Sequence, residues 1–225
     1  ALIRCGQRRG RAGLLARLLG HRAMRSIRAV HDVQPRLVRE LNRRRRSLPL
    51  RELIYGGCLT PVPMPSRRIC PDLVHVGLDH RTPRSQLAGS KIGFWLPELS
   101  IHCDMVHGVA TLAQWQAFAS GTRLRRLRLY THDAQYQPRG LEIVLTRGSD
   151  GGLSRCQVRW HGRTRSVMLA GLLSGLQALS PTTLTSLMID PCVGVGLSGY
   201  HRSQLLEAVA SFHQLERLQL PFSRR

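Results

Sequence analysis

The chain has 225 residues, 42% of them hydrophobic, enough for one sizeable domain or a short stack of repeats and too apolar for wholesale disorder. Its 34 lysines and arginines, all arginine except Lys91, face 13 acidic residues, and the formal net charge of +21 predicts salt-sensitive attraction to polyanions whatever the fold. No stretch approaches the roughly 20 uninterrupted apolar residues of a membrane span, and six cysteines without CxxC pairs argue against a zinc ribbon or a compact disulfide framework, pointing to a reducing compartment.

Residues 1–34 read as a basic N-terminal extension. The first 50 residues hold 14 arginines against Asp32 and Glu40. Arg8, Arg9 and Arg11 are polyanion-binding candidates, and Leu14, Leu15, Leu18 and Leu19 form an apolar stripe beside them. The first thirty residues resemble a mitochondrial presequence, arginine-rich with no acid before Asp32. A retained basic tail that threads into RNA has the same composition. The expected location is the mitochondrial matrix, with nucleus and cytoplasm as alternatives. Pro35 to Arg46 is predicted helical, with Leu37, Val38 and Leu41 on one side, and is placed as a cap on the edge of a sheet. Its last four residues, Arg43, Arg44, Arg45 and Arg46, are a polyanion-binding run, a nuclear-localisation-like signal or a solvated helix end.

From Leu50 onward one spacing recurs, with apolar residues at offsets 0, 3 and 5. It occurs at Leu50/Leu53/Tyr55, Leu73/Val76/Leu78, Leu96/Leu99/Ile101 and Leu124/Leu127/Leu129. It continues at Leu153/Cys156/Val158, Leu184/Leu187/Ile189 and Leu215/Leu218/Leu220. The intervals between successive starts are equal for the first three copies and lengthen from Leu96 onward. Seven matches in succession predict one strand per repeat, each stacking on the next to complete a core that no single repeat can bury.

The spacing resembles leucine-rich repeats, in which L-x-x-L-x-L is followed at offset 8 by Asn or Cys. Here offset 8 holds Cys58, Arg81, Asp104, His132, His161, Cys192 and Ser223, so the usual asparagine ladder is absent. The longer spacings are similar to ribonuclease-inhibitor-like or cysteine-containing repeats. The resemblance covers roughly residues 48–225 and implies an α/β fold, a leucine-rich-repeat solenoid with a parallel concave sheet and convex helices; with its capping helix the solenoid domain is placed at residues 35–225. The segments between strands fit it. Thr111–Ala119, Ser166–Leu179 and His201–Phe212 read as helices, the last with Leu205, Leu206, Val209 and Phe212 as its core stripe. Residues 140–145 are ambiguous between helix and strand, and the proline-rich early repeats (Pro61, Pro63, Pro65, Pro71) predict irregular connections.

Constellations for chemistry are sparse. Gly194-Val-Gly196-Leu-Ser-Gly199 has the spacing that brings pyrophosphate to a helix N-terminus. Too little chain follows Gly199 for the remaining strands of such a fold, and the next strand ends Gln219-Leu220-Pro221 without the expected acid, so a glycine-rich loop is the simpler reading. His102, Cys103, Asp104 and His107 are the nearest metal-like grouping, against which stands a repeat turn closed by Cys103 and Asp104. No nucleophile–base arrangement has recognisable local spacing, so no enzymatic role and no cofactor are expected.

Strand parity is more informative. If offsets 3 and 5 point inward, offsets 2, 4 and 6 face solvent. That assigns Arg126, Arg128 and Tyr130 of one repeat, with Arg155, Gln157 and Arg159 of the next, to one exposed patch, and Arg217 further along. Four arginines and a tyrosine suit phosphate contacts or an acidic protein surface. The expected function is a non-catalytic scaffold in a ribonucleoprotein such as an organellar ribosome, meeting RNA, rRNA in that setting, and neighbouring proteins. The alternative is a protein-interaction adaptor of the kind paired with F-box segments, recognising an acidic partner.

Overall fold

The residues at offsets 0, 3 and 5 pack into the core of the computed structural model of this chain. All three positions of each of the first six patterns, from Leu50/Leu53/Tyr55 to Leu184/Leu187/Ile189, are buried. The structure describes residues 2–4, 12–56, 62–79, 92–102, 122–132, 138–149, 151–161, 176, 183–194 and 198–221. The expected helix at 111–119 lies outside them, as do Arg8, Arg9 and Arg11; of 166–179 only Leu176 is described, and it is helical and buried.

The chain forms two compact units, Ala1–Ser100 and Ile101–Arg225. The first holds β1 (Leu2–Arg4), α1 (Ala12–Leu19), β2 (Ala29–Val33), α2 (Pro35–Asn42), β3 (Glu52–Tyr55) and β4 (His75–Asp79), and β5 (Glu98–His102) crosses its boundary. The second holds β6 (Arg126–His132), β7 (Pro138–Thr146), β8 (Arg155–His161), β9 (Ser186–Ile189), a short turn of helix α3 (Pro191–Gly194), α4 (Gly199–Ala210) and β10 (Arg217–Gln219). Within each unit the strands stand side by side in chain order and the sheet does not close on itself. Pairing is mostly parallel, as connections through helices and long turns require.

Two features depart from the sequence expectation. Residues 1–34 carry two strands of the parallel sheet in addition to their charge. Ile27, Val30 and Val33 are buried, so one further repeat begins at Ile27, as far before Leu50 as Leu50 lies before Leu73. Its third apolar residue falls at offset 6 instead of 5 because Asp32, with φ 56°, is an extra residue bulged out between Val30↔Leu53 and Val33↔Tyr55. Helix α2 is accordingly a connection between paired strands β2 and β3, not an edge cap, and α1 lies against it. Only Leu19 of the expected stripe on α1 is buried; Leu14 and Leu18 are exposed, and Ala16 takes a core position.

The second departure is β7. Residues 140–145 belong to a nine-residue strand that pairs antiparallel with both β6 and β8. The parallel sheet that the repeat spacing predicts is interrupted between β6 and β8 by this meander. Gly151, at φ 77°, turns the chain from β7 to β8, and the Arg147 guanidinium locks the turn by donating to the carbonyls of Leu124 (2.9 Å), Thr122 (2.8 Å) and Gly151.

Helix ends follow local chemistry. Pro35 starts α2 where its missing N–H costs nothing. The helix stops at Asn42, short of the expected end at Arg46, because the Asn42 side chain leaves for a neighbouring turn: Nδ2 donates to the Met64 carbonyl at 2.8 Å and Oδ1 accepts from Ser66 N–H at 2.9 Å. Ser198 caps α4 by accepting from His201 N–H, so the described end of the glycine-rich loop serves a helix start. Leu205, Val209 and Phe212 are buried there, whereas Leu206 is exposed. The last repeat is the exception in burial: Leu218 of β10 is 47% exposed, on a strand with no described neighbour at its outer edge.

Candidate nucleic-acid interface

Antiparallel β7 reorganises the expected arginine patch. Arg126, Arg128 and Tyr130 do not neighbour Arg155, Gln157 and Arg159; Thr146, Val144 and Glu142 stand between them, strand by strand. The expected adjacency is therefore corrected, and alternate strands place the two arginine sets about 10 Å apart instead of about 5 Å.

What each arginine does then differs. Glu142 is buried, and its carboxylate accepts from Arg128 Nε on one oxygen and from His161 Nε2, at 2.7 Å, on the other. Burial alone would raise the Glu142 carboxyl, but the His161 hydrogen bond and the Arg128 charge outweigh it and hold the group below the usual carboxylate range. Arg128 also lies over the Tyr130 ring, 4.4 Å from its centroid, and the His102 ring meets Tyr130 edge-on at 5.0 Å. Tyr130 is thus 2% exposed, not the solvent-facing aromatic expected of it. Arg159 donates to the Gln157 side chain at 2.8 Å. Arg126 is half-buried, and its Nε has no hydrogen-bond partner among the described residues.

Arg155 remains exposed, and the register puts it in a row that the sequence only partly anticipated: Arg126–Thr146–Arg155–Ser186–Arg217, one residue from each of five adjoining strands. Beside this row lies a depression of about 400 Å3 bordered by Thr146, Arg155, Gln157, Ser186, Arg217 and Gln219. Two exposed guanidinium groups flank hydroxyls and amides, a donor-rich surface for phosphate oxygens. Met188 and Leu218 are exposed at the same place.

The first unit carries a different row. Glu52 sits between His31 and His75, accepting from His31 Nε2 on one oxygen and from His75 Nδ1, at 3.3 Å, on the other; His75 Nε2 meets Ser100 Oγ at 2.7 Å. These hydrogen bonds, from His31 first and then His75, pull the Glu52 carboxyl well below the usual carboxylate range. The order Ser100–His75–Glu52 is that of a nucleophile, base and orienting carboxylate. Ser100 is fully buried, so its hydroxyl is closed to a substrate in this arrangement. Reading the sequence by local spacing missed the row because each of its members comes from a different repeat, and only the stacking of strands brings them together.

Arg43 pairs with Glu40 at 2.9 Å on the surface, and Arg44, Arg45 and Arg46 follow the helix as irregular, bent chain. Three thiols lie among the described residues. Cys70 and Cys156 are core residues, and burial pushes both up to about 12. Cys192, at offset 8, is exposed, and the Asp190 carboxylate accepts from its N–H at 2.8 Å in the turn after β9. His161, also at offset 8, hydrogen-bonds Glu142. Among the described residues no three histidine, cysteine or acidic side chains gather as a metal site, and no helix is long and apolar enough to cross a membrane. Of the metal-like grouping at 102–107 only His102 is described. No family model matches the chain, and neither a curated protein nor a solved structure does.

Proposed function

We propose that the chain is a non-catalytic scaffold of the leucine-rich-repeat kind that binds RNA phosphate in a ribonucleoprotein, such as an organellar ribosome in the mitochondrial matrix. The observation that carries this reading is the row of Arg126, Arg155 and Arg217 across five strands, in a chain of net charge +21. Hydroxyls alternate with guanidinium groups along it, and both donate to phosphate. A scaffold that met only neutral protein surfaces would gain nothing from such charge and would bear its self-repulsion.

The test is the salt dependence of RNA affinity for the full chain and for an Arg155→Gln/Arg217→Gln variant. A steep slope in the parent, lowered by about 1.4 in the variant at roughly 0.7 per single-strand phosphate contact, is expected. Weak, salt-insensitive binding by the parent rules the reading out. Removing residues 1–47 is unsuitable, since it deletes β2 and α2 from the core. A second reading, an adaptor for an acidic protein, is favoured by exposed Met188 and Leu218 beside the arginines, since a protein partner covers apolar side chains as well as charge. Co-purification from cells distinguishes the two by what is bound.

A further inference from the structure

A second concentration of positive charge lies at the turns that lead into the early strands. Three turns lead into the parallel neighbours β2, β3 and β4, so the turns stack as the strands do. A groove of about 480 Å3 runs along them, bordered by Arg22, Arg25 and Arg28 of the first turn, Arg44, Arg45 and Arg46 of the second, and Pro71 and Asp72 of the third. Asp72 is the one acidic residue among its described walls. Among the described residues no carboxylate pairs with Arg22, Arg25, Arg45 or Arg46.

The arrangement is periodic. Counted from the core positions Ile27, Leu50 and Leu73, the same two places in three successive turns hold His21/Arg44/Arg67 and Arg22/Arg45/Arg68, each member one repeat from the next. Contacts fix the turns on one another. Arg28 Nη1 donates to the carbonyls of Arg25 (2.7 Å) and Pro49 (3.3 Å), and Arg68 Nη2 donates to the Arg44 carbonyl at 3.3 Å. The Arg44 guanidinium packs against Gly20, in the space that a side chain at that position would fill. Arg28 and Arg44 are therefore held in place by the fold, while Arg22, Arg25, Arg45 and Arg46 project as exposed cations.

On the reading of this chain as an RNA-binding scaffold, we propose that this turn edge is its principal phosphate-binding site and that it takes a single RNA strand along the groove. One phosphate cannot neutralise six guanidinium groups. Three arginines from each of two adjacent turns make an extended row of cations, which suits a linear polymer of phosphates. Arginine suits the role, since its planar fork donates to two phosphate oxygens at once. An acidic protein segment would need carboxylates at the same period.

The proposal is tested on the full chain with a mixed-sequence single-stranded RNA oligonucleotide and, as a competitor of different chemistry, poly-glutamate. Arg22→Gln/Arg25→Gln/Arg45→Gln removes three exposed charges and leaves the packed Arg28 and Arg44 alone, so an unchanged melting temperature is expected. Its log–log salt slope should fall by about 2, at roughly 0.7 per contact, with affinity at least tenfold weaker at low salt. Arg22→Lys/Arg25→Lys/Arg45→Lys should keep the slope, which a merely misfolded groove would not. If the parent binds RNA steeply and the groove variant is unchanged while Arg155→Gln/Arg217→Gln lowers the slope, the groove is not the site and the RNA reading stands. If the parent shows no salt-dependent binding, both fall. Displacement of the RNA by poly-glutamate at equal charge concentration overturns the choice of RNA over an acidic protein.

Discussion

Glu142 on β7 accepts a hydrogen bond from His161 Nε2 on β8 at 2.7 Å, with its carboxylate 1% exposed and its other oxygen held by Arg128 of β6. The pair of bonds fastens the antiparallel meander from its outward face. Losing the carboxylate strands Arg128 beside a buried gap, so Glu142→Ala should cost about 3 kcal/mol. His161→Ala, which leaves the Arg128 bond intact and removes a half-exposed ring, should cost about 1 kcal/mol. Urea unfolding of the two variants checks the order; equal losses would show that Arg128 contributes nothing.

Acid should destabilise the fold through the same residue and through Glu52. Hydrogen bonds from His31 and His75 lower Glu52, and the partners of Glu142 overcome its burial, so both carboxyls lie lower folded than the unfolded value of about 4.3. A group lowered by folding binds fewer protons in the native state. Its contribution is complete above about pH 4.3 and is lost as pH falls through the folded value. The melting temperature should therefore hold from neutrality to about pH 5 and drop below it. Glu52→Gln should lower stability at neutral pH and flatten the acid limb; an acid limb as steep as the parent's refutes the assignment.

Leu127 and Leu187 are fully buried at the same repeat offset, whereas Leu218, at that offset in the last repeat, is exposed. Leu127→Asp and Leu187→Asp each bury an uncompensated charge and should cost more than about 4 kcal/mol, unfolding the unit that holds them. Leu218→Asp should shift stability by less than about 0.5 kcal/mol. Circular-dichroism melts decide, and a folded Leu187→Asp protein would show the repeat register to be misplaced.

Val30 supplies the matching test for the early strands. It is fully buried on β2, paired with Leu53. Val30→Asp should be as damaging as Leu53→Asp, beyond about 4 kcal/mol. A loose basic extension would leave the melt unchanged.

Asn42 bridges α2 and the turn at Met64–Ser66 with one donated and one accepted bond. Asn42→Ala leaves the Ser66 N–H and the Met64 carbonyl without those partners and should cost about 2 kcal/mol. Asn42→Asp keeps the acceptor and loses the donor, so its loss should be intermediate by the same measurement.

The leucine spacing by itself determined the inward residues of six strands, since a period-2 strand with one buried side repeats its apolar positions wherever the next strand stacks the same way. It also placed the arginines of β6 and β8 at outward offsets and a helix before the last strand. An eighth copy was hidden by one extra position: the bulge at Asp32 moved Val33 from offset 5 to 6, enough to remove it from the pattern. Only the tertiary structure decided which outward residues meet. Strand β7 shows alternation but belongs to no repeat, and nothing in its period states that it pairs antiparallel or that it inserts between two copies. That insertion took Arg128 and Tyr130 out of the exposed patch, while parallel pairing joined Arg155 with Arg217 across Ser186. The stacked turns show the converse. Arginines a full repeat apart are unrelated along the chain, and they form one charged edge because each parallel strand sets its turn beside the last. Periodicity along a sequence fixes what is buried; the pairing of strands, a long-range choice, sets which charges share a surface.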